Sequence, residues 1–306
     1  MKVKILQIFL FISFLISFLF FSFRFLGSKN PLRAADYKPP GYNGKEFFDP
    51  SFAHLNTFEK LTEYCDSLFT AKYGSARAGE YELRYTNLVS DVIRKRFYWG
   101  YSMYSMNDNY LALLASRLTY WGYASPVMAD DILKYPYAAC SQQSIVMMEL
   151  LQNKGITTRK IGFWKNNIGG HFALEAYYNG SWHFYDPTLE PDTAMLNKHN
   201  RPGIKSLVAD TALLVASYAP SGKNEDYLLN VLVNYSYGKP NVYPAPNALL
   251  FHKVTKLLSG TAWIFFLLGF IIIRWYRKKP ASLKLRVKSY KKERVFNYPA
   301  SYERTA

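Results

Sequence analysis

Cysteine is scarce in this chain, with only Cys65 and Cys140 among 306 residues, so no more than one internal disulfide can form. Acidic residues are thin as well, 22 against 38 lysines and arginines. The histidines and cysteines never fall at zinc-ligand spacing, no glycine-rich phosphate loop occurs, and no segment repeats. These absences argue against a metal site, a nucleotide loop or a repeat array, and no cofactor is expected.

The positive balance does not require nucleic acid. Of the net +16, the tail after Ile273 supplies eleven Lys or Arg against two Glu, Lys2 and Lys4 add two more, and the remainder is mildly basic. A basic tail beside a membrane helix is what the positive-inside rule produces. Long apolar runs are present at both ends. Ile5 to Phe23 is almost uninterrupted Leu, Ile and Phe with three serines, close to the roughly 20 residues of a membrane span and longer than a signal-peptide core. Leu257 to Ile273 is uncharged and is followed at once by Arg274, Arg277, Lys278 and Lys279. The charge pattern predicts an integral membrane protein with both termini cytoplasmic and the intervening domain extracytoplasmic. Lipid is then a partner through both spans and the basic tail.

Segment boundaries follow from composition. Residues 1–23 read as an anchor and 24–45, with Pro31, Pro39, Pro40 and several glycines, as a linker. Residues 46–247 read as the outer domain with its core motif at 105–190, 248–256 as a juxtamembrane stalk, 257–273 as the second span and 274–306 as the tail. Apolar spacing predicts helices over Phe52 to Tyr73, Glu80 to Tyr101, Asn109 to Tyr120 with Asp108 as N-cap, and Ser206 to Tyr218. Asp130 and Asp131 read as a solvated helix start, and Tyr227 to Tyr235 as helix or strand.

The stretch Tyr135 to Thr188 carries the chemistry. Ile145, Met148, Leu150 and Leu151 recur at helical spacing and Gly155 supplies the stop, which puts Cys140 at a helix N-terminus. Unpaired amides and the helix dipole favour an anion there, the setting in which thiols lean toward thiolate. Ile156 to Trp164 reads as a strand. Lys165 to Gly170 reads as a loop into a hairpin, which turns at Asn179-Gly180. A two-residue turn pairs Tyr178 with Ser181 and, further down, Ala173 with Asp186 and His171 with Thr188. His171 and Asp186 become diagonal neighbours on one face, while parity puts His183 on the other. Glu175 shares the His171 face and reads as a structural acid. Cys140, His171 and Asp186 are therefore the candidate catalytic residues, and Tyr137, Gln142 and Gln143 candidate oxyanion donors beside the Cys140 amide. The alternative for the cysteines is a Cys65–Cys140 disulfide, against which stands the helical pattern around Cys65.

Cysteine at a helix start, the Gly155-Ile156 turn with Arg159, His171 followed by Glu175, a hairpin with a Trp, and Asp186-Pro187-Thr188 together resemble the transglutaminase-like superfamily. The resemblance covers about a third of the chain. It departs at Ala138-Ala139 before the cysteine, where that family often has glycine, and at Ala173, where it often has Trp. It implies an α+β, papain-like core in which a helix bearing Cys packs on an antiparallel sheet bearing His and Asp, to which the apolar patterns add extra N-terminal helices and two flanking transmembrane helices. It also implies a thioester-forming enzyme acting on amide or peptide bonds, as protease, deamidase or transglutaminase, and the outward-facing site makes a peptide or protein of the cell envelope the expected substrate. The competing reading is a transglutaminase-like module kept for binding or assembly without turnover.

Overall fold

Side-chain caps from Thr57, Asp192, Asp210 and Asn224 set where four of the described helices begin. A computed structural model describes residues 2–26, 48–74, 80–165, 169–189 and 191–278. Of the linker expected at 24–45, residues 24–26 belong to the first helix, and of the tail expected at 274–306, residues 274–278 belong to the last; the remainder of both lies outside the described residues. Contacts divide the chain into two units, residues 26–256 and residues 1–25 with 257–306.

After α1 (Lys2–Leu26), the larger unit opens with a 3-10 turn at Pro50–His54 and α2 (Phe58–Tyr73), whose first turn is capped by the Thr57 hydroxyl. The pattern read as one helix from Phe52 is thus two elements, because Pro50 and Thr57 each start their own. Next come α3 (Glu80–Arg96), a short β1 (Tyr98–Trp99) and α4 (Met106–Leu118). The N-cap of α4 is Ser105 rather than Asp108, whose carboxylate instead accepts from the Ser105 N–H and hydroxyl. A kink at Asn109 diverts that side chain to the Thr255 hydroxyl, 2.9 Å away.

The central layer follows: α5 (Ala129–Ile132), β2 (Tyr137–Ala138), α6 (Cys140–Asn153), β3 (Thr157–Lys165), β4 (Gly169–Tyr178) and β5 (Ser181–Tyr185). Asp131 is not a solvated helix start. It is buried, with Lys134 at 2.8 Å, Lys256 at 2.6 Å and the Tyr104 hydroxyl at 2.9 Å. Asn179 and Gly180 both take positive φ, 49° and 76°, the conformation a tight hairpin of this hand needs. The pairing runs from Tyr178 opposite Ser181 to Leu174 opposite Tyr185 in the expected register. It ends there, so Ala173–Asp186 and His171–Thr188 are not ladder pairs. Pro187, which has no N–H to offer the ladder, takes the chain away. Gly169 and Gly170 belong to β4, opposite Lys165 and Trp164, so the strands extend further into the expected loop.

The chain closes with α7 (Thr193–Lys198), α8 (Ile204–Ala209), α9 (Thr211–Tyr218), α10 (Glu225–Tyr227), a π-helical turn at Leu228–Leu232, β6 (Tyr235–Tyr237) and α11 (Pro246–Lys278). Asp210 splits the predicted Ser206 to Tyr218 helix by capping α9 through the Leu213 N–H. The stretch read as helix or strand is both. Residues 248–256, expected as a stalk, are the first part of α11.

The main sheet has the order β5-β4-β3-β6, all antiparallel. One core gathers Val89, Ile93, Val146, Met147 and Leu150 from α3 and α6 with Leu174 and Ala176 of the sheet. A second gathers Ile161, Phe163 and Ala173 with Leu207, Leu214 and Leu232. The sheet is thus covered on both faces, and alternation of side chains along β4 assigns Ala173 and Leu174 to opposite cores.

In the smaller unit, α1 and the apolar part of α11 meet through Phe11 on Phe270 and Phe18 on Trp263, ring centres 5.2 and 5.5 Å apart. The Ser17 and Ser22 hydroxyls donate back to Ser13 and Phe18 carbonyls, which lets serine sit in an apolar helix. Both helices are long and apolar enough to cross a membrane.

Candidate active site

Cys140 is the first residue of α6 and is half-buried. One turn on, Ser144 donates its hydroxyl to the Phe172 carbonyl at 3.3 Å and so ties the start of the helix to the residue after His171. Positions four apart share a helix face, which directs the Cys140 side chain toward the same end of β4. His171 Nε2 lies 2.7 Å from Asp186 Oδ2. The structure brings all three together, with the Cys140 side chain in hydrogen-bonding reach of the ring.

Asp186 is completely buried and has its oxygens filled. Oδ2 also accepts the Tyr218 hydroxyl at 3.0 Å, and Oδ1 accepts the Leu189 and Thr188 N–H groups at 3.1 and 3.3 Å. Burial alone would raise its pKa, but the His171 charge and these donors hold it below the ordinary carboxylate value. Burial would likewise discharge His171. The Asp186 charge and hydrogen bond, with a contribution from Cys140, outweigh it and push the imidazole up to about 10. The resting pair is therefore imidazolium and carboxylate. Phe163 stacks on the ring with centres 5.8 Å apart and planes 23° apart, fixing its tilt.

The other residues singled out from sequence fall elsewhere. Gln142 is not an oxyanion donor. Its Nε2 faces Ser102 O, Ser125 Oγ and Pro126 O at 3.0 to 3.1 Å, and its Oε1 accepts from the Ala139 and Ser102 N–H groups. Two amide protons facing three acceptors leave none for a substrate. Gln143 is buried and donates to the Ala138 carbonyl at 2.9 Å. Tyr137 packs its ring between Tyr98 and Tyr135. The Cys140 amide lies in the first turn, where helix N–H groups lack intrahelical acceptors. His183 faces the Arg201 and Tyr178 carbonyls and stacks on Tyr178 with centres 3.8 Å apart. Glu175 is buried in an ion pair with Arg159 at 2.6 Å and accepts the Ile204 N–H, a structural role. Both cysteines are free thiols, and burial pushes Cys65 up to about 12.

Sequence reasoning missed three tyrosines. Tyr218 completes the Asp186 shell. Tyr227 is pushed up to about 12, by burial first and then by the Asp186 and Cys140 charges it faces. Tyr101 is raised by burial and by Cys140. No local signal marks them, since Tyr218 and Tyr227 come from helices beyond the motif. Among the described residues, no group of three His, Cys, Asp or Glu is placed to hold a metal ion.

Compared with family models, curated proteins and solved structures, the chain matches none of them.

Proposed function

We propose that the protein is a membrane-anchored cysteine enzyme that forms an acyl-enzyme through Cys140. The observation that carries this reading is the 2.7 Å bond from His171 Nε2 to a buried Asp186, on a ring whose charge Cys140, the first residue of α6, also favours. The helix start, hairpin and Asp-Pro turn in this order support a papain-like, transglutaminase-like core.

Cys140 Sγ, as thiolate, attacks the carbonyl carbon of an amide or peptide, and the Cys140 N–H receives the developing oxyanion. The C–N bond breaks as the His171 imidazolium gives its proton to the leaving amine. The neutral ring then takes a proton from water or an amine, which attacks the thioester and releases the thiolate. Asp186 keeps the imidazole oriented and balances its charge through both steps. The same three groups serve protease, deamidase and transglutaminase chemistry. Two apolar helices, with a basic run after the second, support the site facing outward, both termini cytoplasmic, and a cell-envelope peptide or protein as substrate.

The test is competitive labelling with a thiol electrophile at neutral pH. Cys140 should react at least a hundredfold faster than the buried Cys65, and His171→Ala should slow the labelling of Cys140 itself by at least tenfold. Equal, slow labelling would favour a binding module without turnover.

A further inference from the structure

The fold leaves a run of aromatic side chains in the open beside Cys140. β1 pairs in parallel with β2, Trp99 opposite Ala138, and the Gly100 N–H reaches the Ala138 carbonyl at 3.4 Å. Gln142 then holds the backbone of Ser102 through both its N–H and its carbonyl. Tyr101, between these two ties, is thereby held alongside Ala139 and Cys140. From Tyr101 the rings continue outward. Trp121 meets it edge-on at 4.9 Å, Tyr120 lies 5.7 Å from Trp121, and Tyr123 lies 5.9 Å from Tyr120. The run ends on Phe251, whose ring centre is 4.9 Å from that of Tyr123. Trp99 is 55 % exposed, Tyr120 57 % and Trp121 48 %, and Leu118 just before them is 75 % exposed.

A scattered apolar side chain on a surface needs no explanation, whereas a contiguous face of this kind marks a partner. Two features of this face select lipid. Tryptophan and tyrosine, with an apolar body and a polar edge, are the residues enriched where hydrocarbon meets water. The last ring, Phe251, also belongs to α11, and the uncharged run of that same helix starts at Leu257. Six residues of chain reach at most about 22 Å, so Phe251 is tethered close to the headgroup layer that flanks that run.

We propose that this aromatic face lies in the lipid headgroup layer, so that the Cys140 cleft takes its acyl donor at the membrane surface, from a peptide held there by a lipid anchor. The substrate half of this inference rests on the acyl-enzyme reading; the lipid contact does not.

The experiment uses the full chain in nanodiscs of phosphatidylcholine and phosphatidylglycerol. One variant keeps Trp99 and Trp121, with Trp164, Trp182, Trp263 and Trp275 changed to Phe; a second keeps only Trp164 and Trp182. Lipid bearing a doxyl quencher at carbon 5 should remove at least a third of the emission of the first variant, and more than the same quencher at carbon 12. The second variant should lose less. Because four substitutions can cost folding, the native chain is also compared with Trp121→Ser, which should lose part of the shallow-quenched component. First-variant emission unchanged by the carbon-5 quencher, with a shallow-quenched component of the native chain that Trp121→Ser leaves undiminished, overturns the proposal and leaves the face to a protein partner or a second copy. In a second arm, a pool of glutamine-containing peptides is offered with an N-terminal palmitoyl or acetyl group. Turnover at least tenfold higher for the palmitoyl pool supports the substrate half, and equal turnover overturns it. No turnover of either pool, with quenching intact, overturns the acyl-enzyme reading and the substrate half while the lipid contact stands.

Discussion

Tyr218 donates its hydroxyl to Asp186 Oδ2 at 3.0 Å, the same oxygen that meets His171 Nε2 at 2.7 Å. A side chain 32 residues beyond Asp186 thus helps aim the carboxylate. A hydrogen bond to a charged group contributes about 1.5–3 kcal/mol. We expect Tyr218→Phe to lower stability by about that amount in chemical denaturation and to reduce turnover about tenfold. Unchanged stability and turnover would remove Tyr218 from the site.

The His171–Asp186 pair sets the pH range. His171, raised from 6.5 to about 10, contributes stability that is fully present below pH 6.5 and is lost as pH rises through about 10. Asp186, held below 3.8, contributes stability present above pH 3.8 and lost as pH falls through its lower folded value. We expect an alkaline limb of kcat/KM near 10, where the imidazolium loses the proton needed by the leaving amine. Asp186→Asn should bring that limb down toward 6.5 and cut turnover by on the order of 10²–10⁴. A limb that stays near 10 in the variant would show that Asp186 does not set the charge of the ring.

Gln142 holds the entrance to α6 rather than the substrate. Replacing it with Leu strands the Ser102 and Ala139 N–H groups and the Ser102 and Pro126 carbonyls in a buried place. An unsatisfied buried group costs about 1–3 kcal/mol. We expect Gln142→Leu to destabilise by at least about 3 kcal/mol in urea titration and to slow Cys140 labelling. A loss under about 1 kcal/mol would mean that the neighbourhood rehydrates.

Asp131 ties α11 to the domain through Lys256 and to its own helix end through Lys134. Burial would raise its pKa, but the two lysines, Lys134 foremost, bring it below the usual value. Both lysines keep more than a third of their surface in water and can turn outward when Asp131 is lost. We therefore expect Asp131→Asn to cost about 1–3 kcal/mol, less than the 3–5 of a fully buried broken pair. The difference from the native protein should be full above pH 3.8 and shrink as pH falls through the lower folded value of Asp131. A difference independent of pH would point to packing instead of charge.

The helix start at Cys140, the hairpin at Asn179-Gly180 and the meeting of His171 with Asp186 were legible in sequence because each rests on a local rule. Those rules are a helix stop at Gly155, a turn that tolerates positive φ, and two-residue alternation along a strand. The rest depends on partners distant in the chain. Asp131 looked solvated because Lys256 lies 125 residues away. The amide of Gln142 looked available because Ser102 and Pro126 could not be foreseen beneath it. The aspartate reached its histidine without the ladder pairing expected of it, through the turn that Pro187 imposes and the N–H groups of Thr188 and Leu189.

The burial of Cys65 within α2 has a redox consequence for Cys140. The chain holds two thiols, and one is sealed in the core with no exposed surface. An oxidant that converts the Cys140 sulfur to sulfenic acid therefore meets no resolving thiol inside the molecule. Recovery depends on a thiol reductant arriving from solution, and where further oxidant arrives first each additional two-electron oxidation carries the sulfur to the irreversible sulfinic and then sulfonic acid.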